Sequence, residues 1–458
     1  MTENYIDIEK IKKLIENGLL EELRLLVEQL DPADVADVLE DLNEDEQVFL
    51  FDTLAVEIAA ETIVEIEGGT LYDLIDNFSL QQIVSFISNM APDNAVDFLL
   101  KCELTNEKKI EILNKIEPEK HRNDIKILLK YKDDSGGSIM TPELCALPAS
   151  TTAEAALKAI GKAELSDPIL QIFVIQPTSG SLLGYIHLST LLSVPGNTHL
   201  DDIIERDYVS TTPEADQEEI ARDFRKYNIW CMPVVDHENR LVGRITADDI
   251  MEVMQEEANE NMAFMVGAPD YEENEDSAFK AALMRFPWLM LTLFAGIINS
   301  LIIKEMLDVT NVAAIAIFVP VIMAMGGNTG IQASAISIRE IAEGKEGMQK
   351  LLSIAWRQIL VGAFMGIACA FLSAAGAFFV LSSKGLDLGT LTPGNLSFVI
   401  GLSMFNAMIF ASVFGGVFPI ILHRLKVDPA LASGPFVTTS NDLSASLIYF
   451  LTCVLLLM

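Results

Sequence analysis

The chain has 458 residues, half of them hydrophobic, and a formal net charge of −35. It is too apolar for a disordered acidic chain and too acidic to seek nucleic acid. Residues 1–280 carry 58 acidic and 22 basic side chains, and residues 281–458 carry 8 and 9, so the charge excess lies wholly in the first three-fifths. This partition implies an acidic cytoplasmic body attached to a neutral, oily membrane domain.

The N-terminal MTENYIDIEK has neither a basic n-region nor an apolar h-region, so no cleavable signal is expected. Cys102, Cys145, Cys231, Cys369 and Cys453 show no CxxC spacing and read as reduced intracellular thiols. Residues 1–131 alternate apolar helical runs with short polar breaks. Similar helices start at 31, 55 and 78, a period near 24, which predicts a stack of helix pairs. Between Arg24 and Lys101 stand 18 carboxylates and no Lys or Arg. A solvated acidic face accounts for them; so does a stack whose self-repulsion is relieved by divalent cations.

From 138 to 257 one pattern occurs twice. SIMTPELCALPASTTAEAALKAI (138–160) matches DIIERDYVSTTPEADQEEIARDF (202–224), and QIFVIQPTSGSLLGYIHLSTLL (171–192) matches CMPVVDHENRLVGRITADDIME (231–252). Each copy reads helix, strand, turn, strand, helix, and the pair resembles tandem CBS domains. The stretch Gly243 to Asp249 resembles the Gly-x-x-Thr-x-x-Asp element with which such domains hold a nucleotide ribose. That resemblance implies Thr246 and Asp249 as candidates for ATP or another adenine nucleotide, in one copy alone, because the first copy ends at Thr190 without the Asp. Residues 252–280 then form a helical linker crowded with Glu252, Glu256, Glu257 and Glu260, followed by an acidic cluster from Glu272 to Asp276. A plain connector and a lever between sensor and membrane domain both fit.

Five later stretches, roughly 286–304, 310–337, 355–383, 395–422 and 430–457, reach the ~20 apolar residues that a membrane helix needs. Arg339, Lys345, Lys350 and Arg357 between spans two and three, and Arg424 and Lys426 between four and five, place the N-terminus in the cytoplasm and the C-terminus outside. Asp442 is the one charge well inside a span, and it is surrounded by Thr438, Thr439, Ser440, Asn441, Ser444 and Ser446. A protonated Asp bonded between helices is one reading. A ligand for a hydrated, oxygen-seeking cation such as Mg2+ is the other. In span two, Gly326, Gly327, Asn328, Thr329 and Gly330 combine weak helix formers with polar groups, and Pro320 precedes them. They predict an opened backbone lining a pore, close helix packing, or both. One Asp per chain cannot neutralise a divalent ion, so a homodimeric pore is the hypothesis.

Taken together, and above all in PVIMAMGGNTGIQASAISIRE and DPALASGPFVTTSNDLSASLIYF, the chain resembles the MgtE family of Mg2+ channels and transporters. The resemblance implies a mostly α membrane protein: an acidic helical N-domain (1–131), an α/β tandem CBS pair (132–257), an acidic connecting or plug helix (258–283) and a five-helix pore domain (284–458). It implies a plasma-membrane homodimer with Asp442 holding hydrated Mg2+ on the axis and Gly326, Gly327, Asn328, Thr329, Thr438 and Asn441 lining the path. It also implies feedback by intracellular Mg2+ bound at Asp93, Asp97, Asp249, Glu252, Glu257, Glu260 and Asp428. Asn261 stands where a carboxylate is frequent, which weakens that contact here.

Two alternatives remain: transport of Mn2+, Co2+ or Ca2+, and a membrane-anchored CBS nucleotide sensor. The absence of intramembrane His or thiolate clusters disfavours soft metals, and an anchor needs no Asp442. Enzymatic activity is not expected, because the five His (121, 187, 199, 237, 423) are scattered and no nucleophile–base pairing or phosphate loop occurs.

Overall fold

The computed structural model describes residues 8–66, 69–102, 104–163, 168–267, 278–310, 312–342, 348–383, 388, 391–427, 429 and 434–457. Two compact units divide along the chain at Glu256/Glu257.

The first unit begins with α1 (Ile8–Glu16), α2 (Leu20–Val27), α3 (Pro32–Glu40), α4 (Glu44–Thr53), α5 (Val56–Glu65), α6 (Gly69–Asn77), α7 (Leu80–Asn89), α8 (Pro92–Lys101), α9 (Asn106–Lys115) and α10 (Glu119–Leu128). Helices α3, α5 and α7 start at 32, 56 and 80, the period of 24 visible in the sequence, and they pack on one another in turn. Local chemistry sets these starts. The Asp31 carboxylate accepts from the Ala33 N–H at 3.2 Å, and Asn43 with Glu46 and Ser79 with Gln82 close capping boxes. Pro32 and Pro92 stand in first turns, where no N–H partner is needed. The apolar stripes bury Leu39, Leu50, Ile63, Ile87 and Leu99. Phe51, Phe78 and Phe86 cluster with ring centroids 5.0, 5.1 and 5.6 Å apart.

The internal duplication is visible in the sheets. In the first copy β1 (Ala146–Pro148) pairs parallel to β2 (Gln171–Ile175), which pairs antiparallel to β3 (Leu182–His187). In the second, β4 (Cys231–Val235) pairs antiparallel to β5 (Leu241–Thr246), and a single parallel bridge, Thr211 to Val234, stands where β1 stood. Both ladders slip at matching positions, Val174/Ile175 and Val234/Val235. Helices α11 (Ala153–Ile160), α12 (Leu188–Ser193) and α13 (Gln217–Tyr227) flank the strands. Ile220, Phe224, Met232, Ile245, Ile250 and Val253 of the second copy join the same apolar cluster as the N-terminal helices, so the two parts share one core. Out of β5 grows α14 (Ala247–Val266), continuous through Glu256 and Glu257.

The second unit contains five membrane-length helices: α15 (Ala278–Thr310), α16 (Val319–Ala342), α17 (Met348–Leu381), α18 (Pro393–Arg424) and α19 (Gly434–Leu457). Helices α16 and α18 form the centre, with spans 50% and 44% buried, whereas α15 is peripheral at 6%. Contrary to the expectation of an opened backbone, α16 is an unbroken helix through GGNTG. Pro320 falls in its first turn, where the missing donor costs nothing. The glycines serve close approach instead. A Cβ on Gly326 would meet Ala445, one on Gly330 would collide with the Asn441 side chain, and one on Gly415 would collide with the Gly330 carbonyl. Ser337 Oγ donates to the Gly416 carbonyl at 2.8 Å and Ser412 Oγ to that of Gln358 at 2.8 Å, tying α16 to α18 and α18 to α17. Tyr449, fully buried, donates to the Ile315 carbonyl at 3.0 Å.

Gly415→Ala therefore drives a methyl into the Gly330 backbone and should destabilise the membrane domain by about 1–3 kcal/mol. Gly376→Ala, where a Cβ meets nothing within 4 Å, should be neutral or slightly stabilising. Thermal unfolding of the two variants in detergent distinguishes the effects.

Candidate ion groove and acidic cleft

In the membrane unit, Pro320, Ala324, Gly327 and Asn328 lie on one face of α16, at i, i+4, i+7 and i+8, and face Thr438 and Asp442, one turn apart on α19. Ile303 of α15 and Met323 of α16 complete a groove of about 440 Å³. Asp442 lies eight residues, ~12 Å at 1.5 Å per residue, into α19. Room for its carboxylate comes from a missing side chain, since a Cβ on Gly327 would stand 3.1 Å from Asp442 Oδ1 and 3.3 Å from Thr438 Cγ2. Thr438 Oγ1 is satisfied within its own helix, donating to the Gly434 carbonyl at 2.9 Å. Among the described residues no hydrogen bond or ion pair reaches the Asp442 carboxylate, which opens onto the groove. The interhelical hydrogen bond of the first reading is therefore not made.

Three residues expected to line the path lie outside this groove. Gly326 faces Ala445, and Thr329 is 4% exposed with its hydroxyl donating to the Met325 carbonyl at 2.7 Å. Asn441 is 1% exposed and wedged against Gly330, with both amide atoms lacking a partner. The reason is helical phase: a step of ~100° per residue turns Gly326, Thr329 and Asn441 into the α16–α18–α19 interface. Asn406, a polar residue of the fourth span, is exposed on α18 and outside the groove. Sequence reasoning missed Asn299 on α15, 5% exposed, whose amide touches Met323; a lone Asn among apolar residues was its only signal.

In the first unit, Asp93 and Asp97 share a face of α8, one turn apart, and Asp249, Glu252 and Glu256 project from α14. With Asp133 and Asp134 they line a cleft of about 180 Å³: seven carboxylates against Lys101. Glu256, Asp133 and Asp134 were not anticipated, although Glu256 follows Glu252 at i+4. Asp93 is 7% exposed and sits in the first turn of α8, where the helix dipole favours an anion. Asp97 lies at the open mouth. Surrounding protein, foremost, and repulsion from Glu252, Glu256 and Asp249 push its carboxyl up to about 7 against the pull of Lys101. Water on the open side screens part of that repulsion. Asp249 Oδ2 accepts from Thr246 N–H at 3.0 Å and Thr246 Oγ1 at 2.5 Å, so the pair expected to hold a ribose caps α14 and turns Asp249 toward the cleft.

Among the described residues no three His, Cys, Asp or Glu side chains converge tightly enough to hold a bare ion. Both sites are lined by oxygen-bearing side chains, the donor class that hydrated hard cations prefer. Glu257 and Glu260 continue along α14 beyond the cleft, and Asn261 Nδ2 donates to the Glu257 carbonyl at 2.7 Å. Asp428 and the cluster from Glu272 to Asp276 lie outside the described residues.

A membrane domain whose one deep interior charge is a carboxylate facing a groove belongs to the multi-pass cation transporters. Family models agree: residues 319–452 match a divalent cation transporter domain, 7–134 an MgtE intracellular N domain and 200–256 a CBS domain. The chain is 30% identical over 441 residues to the magnesium transporter MgtE of Bacillus subtilis, covering 95% of this chain and 94% of that one. It is 27% identical over 450 residues to that of Thermus thermophilus, covering 98% of each. To that of Enterococcus faecalis it is 32% identical over 329 residues, covering 71% and 70%. The soluble part of a magnesium transporter superposes with a TM-score of 0.50 at 26% identity, over 55% of this chain and 98% of that structure. The cytosolic domain of the Mg2+ channel MgtE in complex with ATP shares the fold at TM-score 0.51 and 24% identity, over 54% and 99%. The chain belongs to the MgtE magnesium transporter family.

A cation bound at the cleft would compete with a proton for the Asp97 carboxyl. Above about 7 it is ionised and attracts a cation; below, a proton occupies it first. Half-inhibition by internal Mg2+ should need roughly tenfold more Mg2+ at pH 6 than at pH 8. Asp97→Asn should flatten that dependence, read as Mg2+ flux in vesicles with the internal pH set.

Proposed function

We propose that this chain imports Mg2+ across the plasma membrane through a path between α16 and α19 of two copies, and that internal Mg2+ closes it. The carrying observation is Asp442: a carboxylate at membrane depth, without a protein partner, opening onto a groove. At ~5 Å and an effective dielectric near 20, a carboxylate attracts a divalent ion by roughly 7 kcal/mol. Two copies of Asp442 would balance the ion's charge while its water shell contacts Asn328 and Thr438. The distribution of Arg339, Arg357, Arg424 and Lys426 supports a cytoplasmic N-terminus and an outer C-terminus. Hard oxygen donors favour Mg2+ over softer metals.

Closure follows from the cleft. Seven carboxylates facing one lysine repel one another, and Mg2+ bound between α8 and α14 stabilises the arrangement that brings them together. Glu257 and Glu260 follow along α14, and Asp428 is the partner expected for them at the entry of span five. For ATP or another adenine nucleotide, Thr246 and Asp249 remain the candidate ribose contacts, provided that the capping pair opens.

Asp442→Asn keeps the shape and removes the charge. Mg2+ flux in proteoliposomes should fall by two orders of magnitude or more, with the elution volume of the purified protein unchanged; undiminished flux would remove Asp442 from the path. For the gate, Asp97→Asn with Glu252→Gln should raise half-inhibitory internal Mg2+ several-fold at unchanged maximal flux. Point changes serve better than removing residues 1–131, which would expose Ile220, Phe224 and Val253 of the shared core.

A further inference from the structure

Exposed hydroxyls of the membrane helices are satisfied within their own helix: Thr292 Oγ1 donates to the Leu289 carbonyl at 2.9 Å, and Ser300 Oγ to that of Gly296 at 2.9 Å. The amide of Gln332 is not. It is exposed on α16, 13 residues after Val319 and 10 before Ala342, and among the described residues no hydrogen bond reaches it. That leaves ~20 and ~15 Å of helix on its two sides, which puts it within a ~30 Å hydrocarbon slab. An amide facing lipid there forfeits its hydrogen bonds with water, and it favours association with whatever restores them. Ala324, Asn328, Gln332 and Ile336 follow one another at steps of four along the exposed face of α16. The first two line the groove that Asp442 faces. Gln332, one turn beyond Asn328 and rotated by ~40°, continues that wall onto the outer surface of the chain. On the other side of the helix, Ala333, Ser334 and Ser337 are buried.

We infer that this face of α16 meets the same face of a second copy, and that the two Gln332 side chains clasp there, each amide N–H donating to the other's carbonyl. The inference rests on the proposal that two copies share the groove at Asp442. An amide carries a donor and an acceptor together, so it is complementary to its own image under a twofold rotation, as an isologous contact requires. A carboxylate or an ammonium is not. Continuity is the second argument. One Asp442 does not balance a divalent ion, so the groove is incomplete without another copy, and the copy that completes it also covers the surface next to Asn328. The outward amide of Asn406 on α18 lies outside the groove and has no such continuity.

Gln332→Cys in the full chain, reconstituted in lipid vesicles, should form disulfide-linked dimers on oxidation with copper phenanthroline, roughly fivefold or more above the unsubstituted chain. Phe371→Cys, which replaces a ring 74% exposed on α17, should stay at the unsubstituted level. If Gln332→Cys does not fold, Ile336→Cys, one turn further along the same face, is read in the same way. Gln332→Leu separates a clasp from mere proximity. Energy transfer between dye-labelled copies, followed as added lipid dilutes them, should show association about tenfold weaker. Linking no greater than in Phe371→Cys overturns the contact, and linking with unweakened association of Gln332→Leu overturns the clasp. Asp442→Asn runs alongside. Full flux there overturns the groove reading itself, whereas lost flux there without linking of Gln332→Cys overturns the α16 contact alone.

Discussion

A carboxylate inside a hydrocarbon slab loses its hydration and must recover that free energy from a partner, an ion or water drawn in with it. Asp442 is in that position, and much of the membrane domain is arranged around it. No Lys, Arg or hydrogen-bond donor among the described residues compensates it. Space is left by Gly327, whose missing Cβ admits the carboxylate, and the groove stays open to solvent-sized occupants. The surrounding glycines, Gly326, Gly330 and Gly415, let α16, α18 and α19 approach closely enough to support the wall behind it. A helix bundle without a hydrophobic drive between its members depends on such contacts.

The acidic cleft applies the same electrostatics at higher density and lower cost per group. Its carboxylates, the buried Asp93 apart, are partly hydrated, so crowding rather than isolation is what a cation would relieve. Their convergence depends on two helix starts. Pro92 at the first turn of α8 phases Asp93 and Asp97 onto one face, and the Thr246–Asp249 cap begins α14 so that Glu252 and Glu256 face them. Because the N-terminal helices and the second CBS copy share a core, the two sides of the cleft are held by packing as well as by charge. A cation bound there would have to shift an equilibrium between packed arrangements, which would give it leverage beyond local screening.

Much of this architecture is legible along the chain, because it depends on composition and period. Five long apolar runs announce the spans, a period of 24 announces the helix pairs, and Asp442 stands out because charge is costly where it lies. The CBS duplication can be read from matched segments, and the structure extends it to matching ladder slips at Val174 and Val234. Facing is another matter. Gly327 and Asn328 reach the groove while Gly326 and Thr329 do not, and Asp442 opens outward while Asn441 is buried beside it. Adjacent residues on a helix diverge by about 100°, so membership of a polar motif says nothing about direction until neighbouring helices set the phase. Likewise Asp133, Asp134 and Glu256 join Asp93 and Asp97 only because long-range packing brings a loop and two distant helices together. Which chemistry the chain carries follows from local order along it; which atoms meet follows from burial, because only the packed core selects one rotation for each helix.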